Sequence, residues 1–128
     1  LNRVRPPSGA AVLAYQRSVY SAPGLTARIG QQAIGWPLPG RSLILLSACN
    51  PSGLRLPDRT NARRMASLAA QLRPWPYRLG AGRLGNWTEE LFVVAMPLAR
   101  GCVLARRYGQ NAIVAIRRGQ AARLVWLA

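Results

Sequence analysis

Arg59, Arg63 and Arg64 follow the segment SACNPSG (47–53) and sit at the head of an amphipathic stretch that begins at Asp58. Positive charge at the start of a helix opposes the backbone dipole by up to about 1 kcal/mol per residue. Only Asp58 offsets the three locally. Such an arrangement suits an anionic ligand, because a phosphate or carboxylate there meets free backbone amides and guanidinium forks together. Arg59 and Arg63 are four residues apart and share a helix face, whereas Arg64 projects about 100° away. The turn at Asn50 would complete the site. A solvated arginine face is the alternative reading, since hydrated surface charges cost little.

Two further groups carry possible chemistry. Glu89 and Glu90 lie in the strand-like segment TEELFVVAM, where neighbours point to opposite faces, so one looks inward and the other outward. An inward glutamate should find an arginine as a structural ion pair, in preference to acting as a base; Glu90, if it faces inward, would meet Arg28 or Arg107, and it is the candidate general base. RRYGQNAIVAI places Arg106, Arg107, Gln110 and Asn111 at a helix-to-strand joint. Gly109 there is expected to stop the helix in the left-handed conformation. GAGRLG (80–85) has the spacing of a dinucleotide fingerprint, but NWTEELFVV follows as a strand, so the glycines shape a hairpin or bulge. The chain has no histidine and no CxxC, which removes His-based nucleophile pairs and leaves no expected metal site. No cofactor is implied.

The elements that must position these groups follow from the apolar pattern. The 128 residues carry 18 basic side chains, all arginine, against Asp58, Glu89 and Glu90, for a formal charge of +15. Arginine in place of lysine matches GC-rich coding, but the scarcity of acids does not follow from it. Half the residues are hydrophobic, so the chain folds. The longest apolar runs, Leu43 to Leu46 and Leu91 to Met96, are strand-length and too short for a membrane span. Residues 1–9 read as a poorly ordered lead-in and 10–128 as one domain. AVLAYQRSVY (11–20) is helix or strand, LTARIG (25–30) a strand, and QQAIGWPLPG a connection with at most one helical turn. RSLILLSAC (41–49) reads as a central strand covered on both faces. A helix runs from an Asp58 N-cap, with Ala62, Met65, Ala66, Ala69 and Leu72 as its apolar stripe, and ends before Pro74 and Pro76. Two strands, a helix stopped by Gly109, and a hairpin turning at Arg118-Gly119-Gln120 complete the chain. The expected class is α+β: one mixed, mostly antiparallel sheet with two main helices packed on it. Cys49 and Cys102 are expected as buried free thiols, and with no visible leader the expected compartment is the cytoplasm.

In order and spacing, LTARIGQ, SACNPSG, NARR, GAGRLGNWTEELFVV and LARRYGQNAIV resemble the bacterial domain-of-unknown-function family numbered 3293, over about residues 13 to 125. The resemblance carries over Arg28, Asn50, Pro51, Asn61, Arg64, Gly80, Gly82, Trp87, Glu89, Glu90, Arg107, Gly109, Gln110 and Asn111. The chain departs from the family pattern at Cys49, at Leu91 and in the shortened GWPLPG segment. The family implies a small bacterial, cytoplasmic protein and supplies no activity. Arg28, Asn50, Asn61, Arg64, Glu90, Gln110 and Asn111 are expected to converge near the ends of the central strands. The leading expectation is a binding module for a phosphate-bearing anion, either a small molecule such as a nucleotide or a nucleic-acid backbone. The alternatives are a small enzyme on a phosphorylated or nucleotide-like substrate, with Glu90 as base, and a basic subunit docking on an acidic protein.

Overall fold

A strand that is apolar at every position needs cover on both faces. The computed structural model, which describes residues 6–127, supplies it. In chain order it runs α1 (Gly9–Arg17), β1 (Val19–Ala22), β2 (Leu25–Ala27), β3 (Ser42–Leu46), a single turn at Pro51–Gly53, α2 (Asp58–Gln71), β4 (Tyr77–Leu84), β5 (Trp87–Val94), α3 (Leu98–Arg107), β6 (Ala112–Arg117) and β7 (Arg123–Trp126). The seven strands form one sheet in the order β2-β1-β4-β5-β3-β6-β7, and every neighbouring pair is antiparallel. Residues 1–5 of the expected lead-in lie outside the described residues.

The sheet curls into a half-barrel. Past the end of β2, Ile29 and Gln32 bridge to Ala122 and Ala121, just ahead of β7. The amide of Gly30 donates to Ala122 O at 2.8 Å, and that of Ala122 donates to Gln31 O at 2.9 Å. The 31–40 segment contains no helix, because its backbone is taken up in this stitching and in the Thr26–Ile34 bridge. Curling sorts the central strands by parity. Leu43, Leu45, Leu91, Val93, Val114 and Ile116 enter the concave cluster with Tyr20 and Leu25. Ile44, Leu46, Phe92, Val94, Ile113 and Ala115 form the convex cluster with α2 and α3. The single α+β domain is therefore a curled antiparallel sheet flanked by helices.

Three local expectations change. The 11–20 segment is helix and strand in succession, broken at Ser18, whose hydroxyl and amide both donate to Ala14 O. Asp58 is the first residue of α2 and not its cap, since Pro57 holds that position and no side-chain cap bond forms. The buried face of α2 is also rotated: Met65, Leu68 and Leu72 are buried while Ala62 and Ala66 are exposed. Asn61 and Arg64 lie partly buried on that inward face. Alanine tolerates either side of a helix, so it misplaces a stripe drawn from sequence. Gly109 stops α3 as expected, with φ 70°.

Helix α3 lies against β3 through Gly101, where a Cβ would stand 2.8 Å from Ile44 Cγ2. Ile44 is β-branched and 1% exposed, so it has no room to turn away. Gly101→Val should therefore cost about 1–3 kcal/mol of stability through overpacking. Urea denaturation measures it, and an unchanged midpoint would contradict this packing.

Candidate functional site

At the mouth of the half-barrel the concave core opens into a cleft of about 740 Å³. Helix α1 contributes Ala11, Ala14 and Tyr15 to its wall, the loop after β3 contributes Cys49, Asn50, Gly53, Arg55 and Leu56, and the β4–β5 hairpin contributes Gly82, Leu84, Trp87 and Glu89. Leu45, Leu91 and Val114 line it from the sheet. The position of Glu89 follows from the register. It faces Gly82 across the β4–β5 ladder, as Leu91 faces Gly80, and so points to the concave side. At Gly82 a Cβ would be 3.3 Å from the Tyr20 ring, and at Gly80 it would run into the Ser21 carbonyl oxygen. The two glycines let β1 and Tyr20 close against β4.

Glu90 is therefore not the inward acid. It is exposed, and Ser47 Oγ donates to its backbone carbonyl at 2.7 Å. Glu89 is the largely buried one, and loss of water pushes its carboxyl up to about 7 from the usual 4.5. A hydrogen bond with the Asn50 side chain pulls the other way without cancelling that rise. Burial also raises the Tyr15 hydroxyl to about 12 and lifts Tyr20 and the Cys49 thiol, and in each case the Glu89 charge adds to the rise.

The turn that presents Asn50 is held by paired amides. Asn61 Oδ1 accepts from Asn50 N at 3.0 Å, and Asn61 Nδ2 donates to Asn50 Oδ1 at 2.9 Å. Leu56 N donates to the same Oδ1 at 2.9 Å. With its oxygen so occupied, Asn50 keeps its Nδ2 for Glu89. The residue sits at φ 47°, a left-handed conformation that asparagine tolerates better than most residues.

Of the expected site residues, Asn50, Asn61, Glu90 and Gln110 line the cleft, whereas Arg28, Arg59, Arg63, Arg64, Arg107 and Asn111 do not. Arg28, Arg59, Arg63 and Arg107 are exposed. Arg64 is committed to the scaffold: Nε donates to Ala48 O at 2.6 Å and a terminal nitrogen to Tyr108 O at 2.5 Å. Gln110 Nε2 donates to Cys49 O at 2.9 Å. Sequence reasoning missed Tyr15, Tyr20, Cys49 and Arg55 as cleft residues, and it placed the inward acid one residue too late. The glycines at 80 and 82 were the available signal, since alternate glycines mark the side of a strand on which something packs closely. Among the described residues no group of three or more His, Cys, Asp or Glu side chains could hold a metal ion. Cys49 is buried and Cys102 half-buried, both as free thiols.

Fold and site thus define an α+β half-barrel with an acid-lined cleft at its mouth. Residues 46–113, more than half of the chain, match the family described as Protein of unknown function (DUF3293). The chain belongs to that family. The matched region spans the Asn50 turn, α2, both carboxyl-bearing strand positions and the Gln110–Asn111 joint. No curated protein and no solved structure matches the chain.

Two expectations follow for single residues. The raised Glu89 carboxyl binds its proton more tightly in the folded state than in the unfolded one. Its stabilising contribution is therefore present below about 4.5 and lost as pH rises through about 7. Glu89→Gln should leave stability unchanged near pH 4 and raise it at pH 8, by an amount on the order of 1–3 kcal/mol. Thermal melts at the two pH values measure this, and equal melting of mutant and wild type at pH 8 would refute the buried placement. Arg64→Met should cost about 1.5–3 kcal/mol by leaving two carbonyls without their charged donor. Denaturant titration checks the size of that loss.

Proposed function

We propose that this protein binds a nucleotide unit, free or within a nucleic-acid strand, with the base in the Glu89 cleft and the phosphate on arginines outside it. One observation carries the reading. Asp58, Glu89 and Glu90, all the acids of the chain, line the cleft, while Arg55 is the one arginine among the described residues that does. A phosphate cannot go deep among carboxylates, so the cleft suits an uncharged or cationic group rich in N–H donors. The phosphate belongs to the exterior, where Arg59 and Arg63 stand exposed on the first two turns of α2, beside Asp58 at the cleft edge. Their charge remains unfavourable to the helix without an anion.

The cleft also has the walls for a planar ring. Its volume falls within the range of ordinary small-molecule sites. Tyr15, Tyr20 and Trp87 supply aromatic surface of the kind on which bases stack. Glu89 with Asn50 offers acceptors and donors to a base edge. A second reading rests on the Glu89 carboxyl near 7, which suits a group that takes and returns a proton at neutral pH. On that reading the same cleft is the active site of a small enzyme acting on a nucleotide-like substrate, with Glu89 and not Glu90 as the base. Recovery of the bound nucleotide chemically unchanged would exclude it. The reading places the protein in a reducing compartment, consistent with two free thiols, and no helix among the described residues is long and apolar enough to cross a membrane.

Titration of nucleoside monophosphates and short single-stranded RNA and DNA over a salt series tests the proposal. Strand binding should weaken with salt. Arg59→Gln with Arg63→Gln should lower strand affinity about tenfold and flatten the log–log salt slope by about 1.4, the value for two phosphate contacts on a single strand. Glu89→Gln should alter the preference among bases and leave that slope unchanged. Binding that ignores both substitutions would overturn the reading.

A further inference from the structure

Asn111 is 1% exposed, and neither its Nδ2 nor its Oδ1 has a hydrogen-bond partner. Its neighbour Gln110 shows what a structural amide does at this joint, spending its Nε2 on the carbonyls of Cys49 and Tyr108. The Asn111 backbone is likewise satisfied, its carbonyl accepting from Leu127 N at 2.8 Å. The side chain alone is left over. A buried primary amide with both ends unmatched is worse for stability than an apolar side chain of the same size, so packing does not account for it.

The amide lies behind the turn that walls the cleft. A Cβ on Gly53 would stand 3.7 Å from Asn111 Nδ2, and Gly53 is exposed and lines the cleft. The neighbouring part of the turn is closed, since a Cβ on Gly109 would meet Pro51 Cβ at 2.9 Å. Ser52 N pins the turn to Gly109 O at 2.7 Å. Because Gly53 has no side chain, only its backbone stands at this point between the cleft and the amide.

We propose that Asn111 is a second recognition group of the cleft, reached past Gly53, and that it takes a ligand edge carrying a donor beside an acceptor. Of the bases, adenine presents such an edge at N6 and N7, which asparagine matches with two hydrogen bonds. This inference rests on the nucleotide reading, and its test separates the two. The Asn111 side-chain amide signals of the wild-type protein are followed by NMR during titration with adenosine monophosphate, uridine monophosphate and acetamide. Asn111→Leu is melted without ligand and titrated with the same compounds. The expected result is a shift of the Asn111 signals with adenosine monophosphate that uridine monophosphate does not reproduce. Asn111→Leu should melt at or above wild type and bind adenosine monophosphate at least about tenfold more weakly, the size of one good base contact. If Asn111→Leu melts well below wild type, the amide holds a structural water and the inference is wrong. If adenosine monophosphate binds while the Asn111 signals stay still, the inference fails and the nucleotide reading survives. If neither nucleotide binds, the nucleotide reading fails. Acetamide, which has a donor beside an acceptor but no phosphate, then decides alone: movement of the Asn111 signals keeps the inference, and none overturns it.

Discussion

Where β3 ends, the chain leaves the sheet with backbone groups that have no strand to bond, and the rest of the molecule is arranged around satisfying them. Ala48 and Cys49 present carbonyls into a partly to fully buried region, and the C-cap of α3 adds that of Tyr108. Arg64 and Gln110 answer these three, while Asn61 answers the amide of Asn50. One side of α2, one residue after α3 and the end of β3 thereby become a single rigid joint. Arg64, the charged donor among them, is worth about 1.5–3 kcal/mol, more than a neutral hydrogen bond returns. A guanidinium suits the position because its fixed fork reaches two carbonyls at once.

The joint decides where the cleft lies. Holding Asn50 in a left-handed conformation aims its amide nitrogen at the mouth of the half-barrel, where the β4–β5 hairpin delivers Glu89. The hairpin is placed by a different constraint. Gly80 and Gly82 let β1 come close on the concave side, and Tyr20 then fills the barrel below Glu89. Tyr20 also donates its hydroxyl to Tyr15 O at 2.6 Å, which draws α1 over the opening. Tyr15 packs edge-on against Trp126 at 5.6 Å, fixing the far end of that cover. Two polar anchors and one aromatic pair so define a cavity that no single segment contains.

Much of this was legible in the chain. The unbroken run SLILL announced a strand covered on both faces, and glycine at 109 announced the end of α3, because both signals are set by local geometry. Parity was not legible. In β5 the residues after Glu90 are apolar at both odd and even positions, so hydrophobicity could not say which face was concave, and the inward acid was placed one residue off. The role of Arg64 was hidden for a related reason. An arginine at the start of a helix looks like an anion ligand when its carbonyl partners are 16 and 44 residues away in sequence. Tyr15 and Tyr20 could not be assigned to a site, since closure of the sheet is what brings them beside Glu89.

The electrostatics of the cleft run against those of the whole protein. A formal charge of +15 favours ionised carboxylates everywhere, and by itself would draw the Glu89 carboxyl down. It stands instead near 7. Desolvation at the mouth is the largest cause of that rise, and the hydrogen bond with the Asn50 side chain does not offset it. The surface arginines are exposed, and salt screens them within about 10 Å at 0.1 M. Glu89 is shielded from the same solvent that screens them. The molecule thus offers a partner two separate environments, a salt-sensitive basic exterior and a partly dry acidic pocket. A ligand that joins an anionic group to a donor-bearing ring satisfies both, whereas a simple anion satisfies only the first.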